Sequence, residues 1–506
     1  MADATVAEQR QRLVAWLERR SPGDPPELHE THVSILAFTA DRVWKCKKAV
    51  RFPFIDCSTV TRRQANAERE VLLNRRLAPD VYLGVVPLTD PQGTVVDHLV
   101  EMRRLPESRR LSALVARGGN EGSVCIDAIA DLLVQFHARA ATGGEVDEAA
   151  TQAALSDLWA GSIEELRPFA GSVLDPERCA QLARDALAYV RGRRALFDAR
   201  IAAGCIRDGH GDLLADDVFC LAEGPRALDC LEFDDRLRYG DVLADVAFLA
   251  MDLERLNRHD LARRLLDRYQ RGSGDAWPPT LEDFYVAYRA LVRAKVACLR
   301  VADDPGAVGS ARHLLALAAH HLVRARVRIV LVGGPPATGK TTLARALAAA
   351  TGWPVLRSDE VRKELAGLAP VTPAAAPVDR GLYSEAWTDR TYDALLDRAR
   401  ERLERGSSVI LDASWGDHGR RGAAAALAAE TASELTSFLC AVAPEVADAR
   451  AAARAGRGDD ASDASPAIAA ELRGRFDPWP DAEVLDTTNP PDDVVLRVRA
   501  RLGLGR

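Results

Sequence analysis

Gly334-Pro335-Pro336-Ala337-Thr338-Gly339-Lys340-Thr341 follows the apolar run Ile329-Val330-Leu331-Val332 and leads into a helical stretch at 343–350. The order is a buried-type strand, a G-x-x-x-x-G-K-[ST] loop and a helix. Glycines at these positions let backbone N–H groups turn inward around phosphate oxygens, and the helix N-terminus adds positive partial charge. Lys340 is placed to reach terminal phosphates and the Thr341 hydroxyl to hold Mg²⁺, with Thr342 completing the loop. The stretch predicts that this part of the chain binds a nucleoside triphosphate.

Downstream, Trp353-Pro354-Val355-Leu356-Arg357-Ser358-Asp359 reads as a strand ending in Ser-Asp. Asp359 then sits at a strand's C-terminal edge, where doubly wound sheets bind ligands. It either accepts a proton from an acceptor hydroxyl or caps a helix at 361–365. Residues 366–380, with Pro370, Pro373 and Pro377, read as a substrate-side loop, and 383–404 as a helix. Val409-Ile410-Leu411-Asp412 is an apolar strand plus Asp about 70 residues after the P-loop, and Asp412 is expected to meet Mg²⁺ through water. Strands at 438–442 and 484–487 complete an alternation that predicts a parallel α/β sheet over 326–506. The region resembles small-molecule P-loop kinases of the gluconate-kinase and zeta-toxin type. That likeness favours Asp359 as the proton acceptor. It also makes Arg450, Arg454 and Arg457, near the 456–463 stretch, look like lid arginines that stabilise the transferring phosphoryl group.

Composition bounds the rest. At 506 residues the chain has room for two to four domains, and 47% hydrophobic with 28% charged residues is ordinary for soluble protein. A net charge of −7 disfavours a nucleic-acid or anionic-membrane partner. No apolar run is long enough to span a bilayer, and 1–20 reads as an amphipathic helix rather than a signal peptide. Nine dispersed cysteines are expected to be free thiols in a reducing cytoplasm. There are six lysines among 67 basic residues, so a lysine retained in this chain points to a need for a compact point charge. One is Lys340, and three cluster at Lys45, Lys47 and Lys48.

The N-terminal part begins with a helix at 5–20, then two strands at 32–40 and 42–50. Period two puts Lys45 and Lys47 on one strand face, which is either solvated or turned to an anion. A helix at 61–77 carries Glu68 and Glu70, and strands follow at 81–86 and 94–102. Residues 111–200 read as helical. Then come His210-Gly211-Asp212, Asp217, and Leu228-Asp229 on a short apolar strand. Phosphorylation of a hydroxyl needs such a set: one carboxylate to orient the acceptor and further oxygens for Mg²⁺. Residues 241–325 are helical, with Arg289, Arg293 and Lys295 within two turns, forming either a solvated face or a basic set meeting the acidic loop.

Together with Gly240-Asp241-Val242 and Asp245-Val246-Ala247, these residues resemble the aminoglycoside phosphotransferase family, relatives of the protein kinases. The resemblance implies Asp212 as catalytic base, Asp229 as Mg²⁺ ligand, and Lys45 or Lys47 with Glu70 as the phosphate-orienting ion pair. His210 and Asp245 would brace the loop. Asp217 stands where the family has a metal-binding Asn, Leu214 where a His is common, and no Gly-rich loop joins the first strands. Nearly end to end, the chain resembles a two-domain bacterial family joining such a half to a P-loop kinase half. The expected fold is therefore an N-terminal α+β protein-kinase-like domain, with a small β-rich lobe (1–105) and a helical lobe (106–325), and a C-terminal α/β P-loop domain (326–506). The expected activity is ATP- and Mg²⁺-dependent phosphotransfer to a hydroxyl of a small molecule by two kinase-type modules. The alternative is a non-catalytic N-terminal half that regulates the P-loop half.

Overall fold

Thr5 opens the first helix, Val6–Arg20, with a capping box: its hydroxyl accepts from the Glu8 N–H and the Glu8 carboxylate accepts from its own N–H. The computed structural model describes residues 5–23, 25–52, 55–369, 372, 380–455 and 466–504. Leu13, Trp16 and Leu17 of the first helix pack on one face of a five-stranded antiparallel sheet. Its strand order is Glu27–Glu30, Ser34–Phe38, Arg42–Lys47, Val95–Arg103, Tyr82–Thr89. The edge strand Glu27–Glu30 was not anticipated from the sequence. Alternation along Arg42–Lys47 sends Trp44 and Cys46 to the first helix and Val43 to the helix Val60–Asn74 on the other face. Lys45 and Lys47 share that second face, so they turn inward rather than to solvent.

The helical lobe is built around Val242–Arg255, buried at every position from Val242 to Leu253. Such an all-round apolar helix belongs at the centre of a domain. Glu121–Arg139, His259–Ser273 and Pro279–Leu299 surround it. Cys125 and Cys220 form a disulfide across 95 residues, which corrects the expectation that all nine cysteines are free. Their pairing follows from the packing of Glu121–Arg139 on the strand Val218–Leu221 and leaves no spacing signature. Among the described residues no helix is long and apolar enough to cross a membrane.

The C-terminal region is a five-stranded parallel sheet in the order Val355–Arg357, Val409–Asp412, Arg328–Gly333, Glu434–Ala441, Glu483–Asp486. The helix Ala307–Ala325 runs almost directly into its central strand. One apolar core continues from the helical lobe through Val327, Ile329 and Leu331 to Leu395 and Leu411. Polar contacts reinforce it: the Thr280 hydroxyl donates to the Gly406 carbonyl at 2.6 Å, and Arg193 Nη1 donates to the Thr431 carbonyl at 2.7 Å. A Cβ on Gly192 would lie 2.1 Å from that Thr431 oxygen, so only glycine permits this approach.

Where Ala307–Ala325 meets the lobe, buried His321 stands 2.7 Å from Asp283 and 2.9 Å from Glu254. Arg324 also pairs with Asp283, and His259 with Glu254. Burial opposes charge on His321, but the two carboxylates outweigh it and raise its pKa to about 9. Because the folded value lies above the ordinary 6.5, the stabilisation is complete below pH 6.5 and is lost as pH rises through about 9. Urea unfolding is expected to show a loss of up to about 3 kcal/mol across that window, and His321→Gln should flatten it. An unchanged pH profile in the variant would refute the assignment.

Candidate active sites

The P-loop geometry starts from the end of the strand Arg328–Gly333. Gly334 adopts φ +135°, and a Cβ there would lie 2.5 Å from the Cys440 carbonyl oxygen. The backbone can therefore turn as tightly as a phosphate cradle requires only with glycine at this point. Pro335, Pro336 and Ala337 carry the loop outward. The Thr338 hydroxyl and Lys340 Nζ both donate to the Pro335 carbonyl, each at 2.9 Å. Gly339, at φ +88°, is the N-cap of the helix Lys340–Thr351. Thr341 donates to Asp412 Oδ2 at 2.7 Å, so the hydroxyl and carboxylate singled out for Mg²⁺ meet. The Arg357 guanidinium lies 3.3 Å from the same carboxylate. This oxygen pair and the glycine cradle fit a Mg²⁺–nucleotide.

These groups line a cavity of about 1360 Å³, together with Thr342, Asp359, Arg362, Tyr392, Arg420 and Arg450. Asp359 is the second residue of the helix Ser358–Leu365, whose N-cap is Arg357, so the capping role weighed for Asp359 does not hold. Burial raises its pKa, opposed by Arg362 and reinforced by Asp412. Arg450 donates to the Thr487 carbonyl at 2.9 Å at the cavity wall. Arg454 lies on the same helix, Pro444–Ala455. Arg457 and the 456–463 stretch lie outside the described residues, as does most of 366–380.

In the N-terminal cleft the charges form a chain. Asp229 meets Lys45 at 3.0 Å, Lys45 meets Glu70 at 2.8 Å, Glu70 meets Lys47 at 2.6 Å, and Lys47 meets Glu232 at 2.6 Å. Burial alone would raise the Glu70 pKa, but its two lysines hold it below the usual carboxylate range. Lys47 is fully buried and divided between two carboxylates, which corrects its placement among nucleotide contacts; Lys45 is the lysine that opens on the cleft. Asp229 is not on a strand: Gly224–Ala227 ends before it, and it takes φ +61°. This turn leaves its side chain more than half exposed beside Lys45.

Asp245 organises the loop before it. Its carboxylate accepts from the His210 and Gly211 N–H groups at 2.8 and 2.9 Å and faces His137 Nε2 at 3.1 Å. His210 is buried, its Nε2 donating to the Leu228 carbonyl at 3.0 Å, and burial lowers its pKa. Desolvation raises Asp212 to about 6, with Arg293, 3.7 Å away, opposing it. Asp217 is also pushed up, first by desolvation and then by Asp229 and Asp212. A divalent cation would relieve this repulsion, although the three side chains are not drawn into a ready-made ligand cluster. Of the basic set on Pro279–Leu299, Arg289 donates to the Gly211 carbonyl and Arg293 faces Asp212, whereas Lys295 pairs with Glu165 instead. Glu232, Arg362 and Arg420 were not singled out in the sequence. An arginine carries little signal where arginine is this common, and nothing local marks Glu232 as the second partner of Lys47.

A family model described as an AAA domain matches residues 329–479. Over 467 residues the chain is 42% identical to Rv2004c, an uncharacterized protein of Mycobacterium tuberculosis, across 92% of this chain and 93% of that protein. The same figures hold for Mb2027c, an uncharacterized protein of Mycobacterium bovis. Similar solved structures include a choline/ethanolamine kinase family protein from Mesorhizobium loti, at 14% identity, 63% of this chain, 99% of that chain and TM-score 0.40. A sugar kinase from Janibacter sp. HTCC2649 matches at 21% identity, 35% of this chain, 96% of that chain and TM-score 0.27.

The two lysines should separate experimentally. Lys47→Met leaves Glu232 and one side of Glu70 uncompensated in the interior and is expected to cost about 3–5 kcal/mol in chemical denaturation. Lys45→Met keeps the Lys47–Glu70 pair and leaves Asp229, which reaches solvent, so its loss should be clearly the smaller of the two. Equal losses would contradict the burial difference.

Proposed function

The chain belongs to the family of the mycobacterial protein Rv2004c, and from that premise we propose that it is an ATP- and Mg²⁺-dependent phosphotransferase acting on a hydroxyl of a small molecule. The observation that carries the reading is the convergence of Lys340, the Thr341–Asp412 pair and the Asp359 carboxylate on one cavity. Backbone N–H groups of Ala337, Thr338, Gly339 and Lys340, with the Lys340 side chain, bind the phosphates; Pro335 and Pro336 have none to offer, and the Gly334 N–H is donated to the Ser414 carbonyl. Thr341 and Asp412 would hold Mg²⁺, which would supply charge neutralisation for the phosphates. Asp359 takes the proton from the acceptor hydroxyl as its oxygen bonds to the γ-phosphorus and the bond from that phosphorus to the bridging oxygen breaks, ADP leaving; its raised pKa suits it to hold that proton. Arg450, with Arg454 on the same helix, stabilises charge on the transferring group.

In the N-terminal module Asp212 plays the same part toward a second hydroxyl, Asp217 and Asp229 would hold the metal, and Lys45, set by Glu70, would meet the phosphates. A second reading, a binding or regulatory N-terminal half, draws on the crowding of Asp217 against Asp212 and Asp229. Like charges gathered there work against a nucleotide unless a cation is present.

In the full-length protein, Asp359→Asn should lower P-loop phosphotransfer about 10²–10⁴-fold while ATP binding is retained, measured by product formation and by calorimetry. Unchanged transfer would discard Asp359 as the base. With Lys340→Ala silencing the P-loop module, acceptor-dependent ATP turnover should persist and then vanish on adding Asp212→Asn. Turnover already absent in Lys340→Ala alone would assign the N-terminal module to binding.

A further inference from the structure

The acceptor side of the P-loop cavity holds two guanidinium groups that the phosphate side does not use. Arg362, on the face of Ser358–Leu365 that carries Asp359, is 6% exposed. Its Nη1 donates to the Leu382 carbonyl at 2.7 Å and to the Thr388 hydroxyl at 3.1 Å, and its plane lies over the Tyr383 ring at 4.8 Å. Its Nε is buried without a partner, and among the described residues its Nε–Nη2 edge makes no hydrogen bond. Arg420, near the start of the helix His418–Glu430, lies over Tyr392 at 5.0 Å. Its Nη2 donates to Asp389 at 3.0 Å, and its Nε is likewise buried and unpartnered. Thr388 and Asp389 are consecutive, so both guanidiniums are held against one end of the helix Glu385–Glu404.

An arginine buried on an aromatic ring with its Nε edge unpaired is costly, because donors taken from water need acceptors. On Arg362 that edge presents two parallel N–H groups, the fork that carboxylates and phosphates fill bidentately; on Arg420, whose Nη2 holds Asp389, the Nε–H is the open donor. The Coulombic partner of Arg362 is Asp359, the proposed base, so a group bound here is held beside the reacting hydroxyl.

Resting on the phosphotransferase reading, we propose that the acceptor of the P-loop module carries an anionic group, a carboxylate or a phosphate monoester, bound by Arg362 and Arg420. Arg362 and Arg420 are specificity residues for the acceptor, apart from the loop that binds the nucleotide. A phosphate monoester is also the class of product that hydroxyl phosphorylation by the N-terminal module would release.

The test is calorimetry on the full chain, saturated with Mg²⁺ and a non-hydrolysable ATP analogue, titrated with mannitol, mannonate and mannitol 1-phosphate. At least one anionic probe should bind about tenfold or more tightly than mannitol, and which of the two does so distinguishes carboxylate from phosphate. Arg362→Gln and Arg420→Gln should each remove most of that preference while analogue affinity stays unchanged. If buried Arg362→Gln fails to fold, Arg420→Gln, whose side chain is a quarter exposed, carries the test. The proposal is overturned if neither anion binds better than mannitol, or if the preference survives the substitutions. Failure of the unmodified protein to bind the analogue would instead sink the phosphotransferase reading.

Discussion

A carboxylate removed from water has to be given donors, and that constraint ties both halves of this molecule together. Glu70 is buried only because Lys45 and Lys47 reach it from the neighbouring strand. Their other contacts, Asp229 and Glu232, then draw in a segment from the helical lobe. Asp245 does the same for the loop from His210 to Asp212 by accepting two backbone N–H groups, and Asp412 for the P-loop through Thr341 and Arg357. Each candidate site segment is thus positioned by a carboxylate distant in sequence, through ion pairs at Glu70 and hydrogen bonds at Asp245 and Asp412.

What the sequence made legible was what is local. The P-loop declares itself because strand, loop and helix are contiguous, and the glycines sit where a Cβ would strike Cys440 or Thr487. Parity along Arg42–Lys47 put Lys45 and Lys47 on one face but carried no information about depth. Solvent and anion stayed equally open until the helix Val60–Asn74 was seen to cover that face. A helix starting three residues earlier than read puts the N-cap at Arg357 and Asp359 inside the first turn. Arg289 and Arg293 reach the acidic loop while Lys295, two residues on, turns to Glu165; rotation about the helix decides this, and composition is silent on it. The Cys125–Cys220 bridge joins elements 95 residues apart and is invisible to any spacing rule. It also removes cysteine usage as an argument for a reducing compartment.

The modules are not beads on a linker. The apolar core passes from the helical lobe into one face of the parallel sheet, and Gly192 sits so close to Thr431 that a methyl group would not fit. An interface with this continuity resists independent motion, because separating the parts would expose core surface rather than wet rim. Arg193 adds to this: fully buried, it donates to carbonyls on both sides of the junction, and among the described residues it forms no salt bridge.

The two sites reach comparable chemistry from opposite electrostatic starting points. Around Asp212, carboxylates crowd one another, and Lys45 is already held by Glu70 and Asp229. Under the proposed function, a polyanionic nucleotide enters such a site only with a cation that satisfies the aspartates first, so metal and nucleotide binding are coupled there. The P-loop cavity instead surrounds Asp359 and Asp412 with Lys340, Arg357, Arg362, Arg420 and Arg450. Its positive groups are built in, so anion entry there would not depend on a divalent cation arriving first. Two modules of one chain can therefore share nucleotide chemistry while selecting acceptors of different charge, since the acceptor meets the fixed charges that remain once the metal and phosphates are in place.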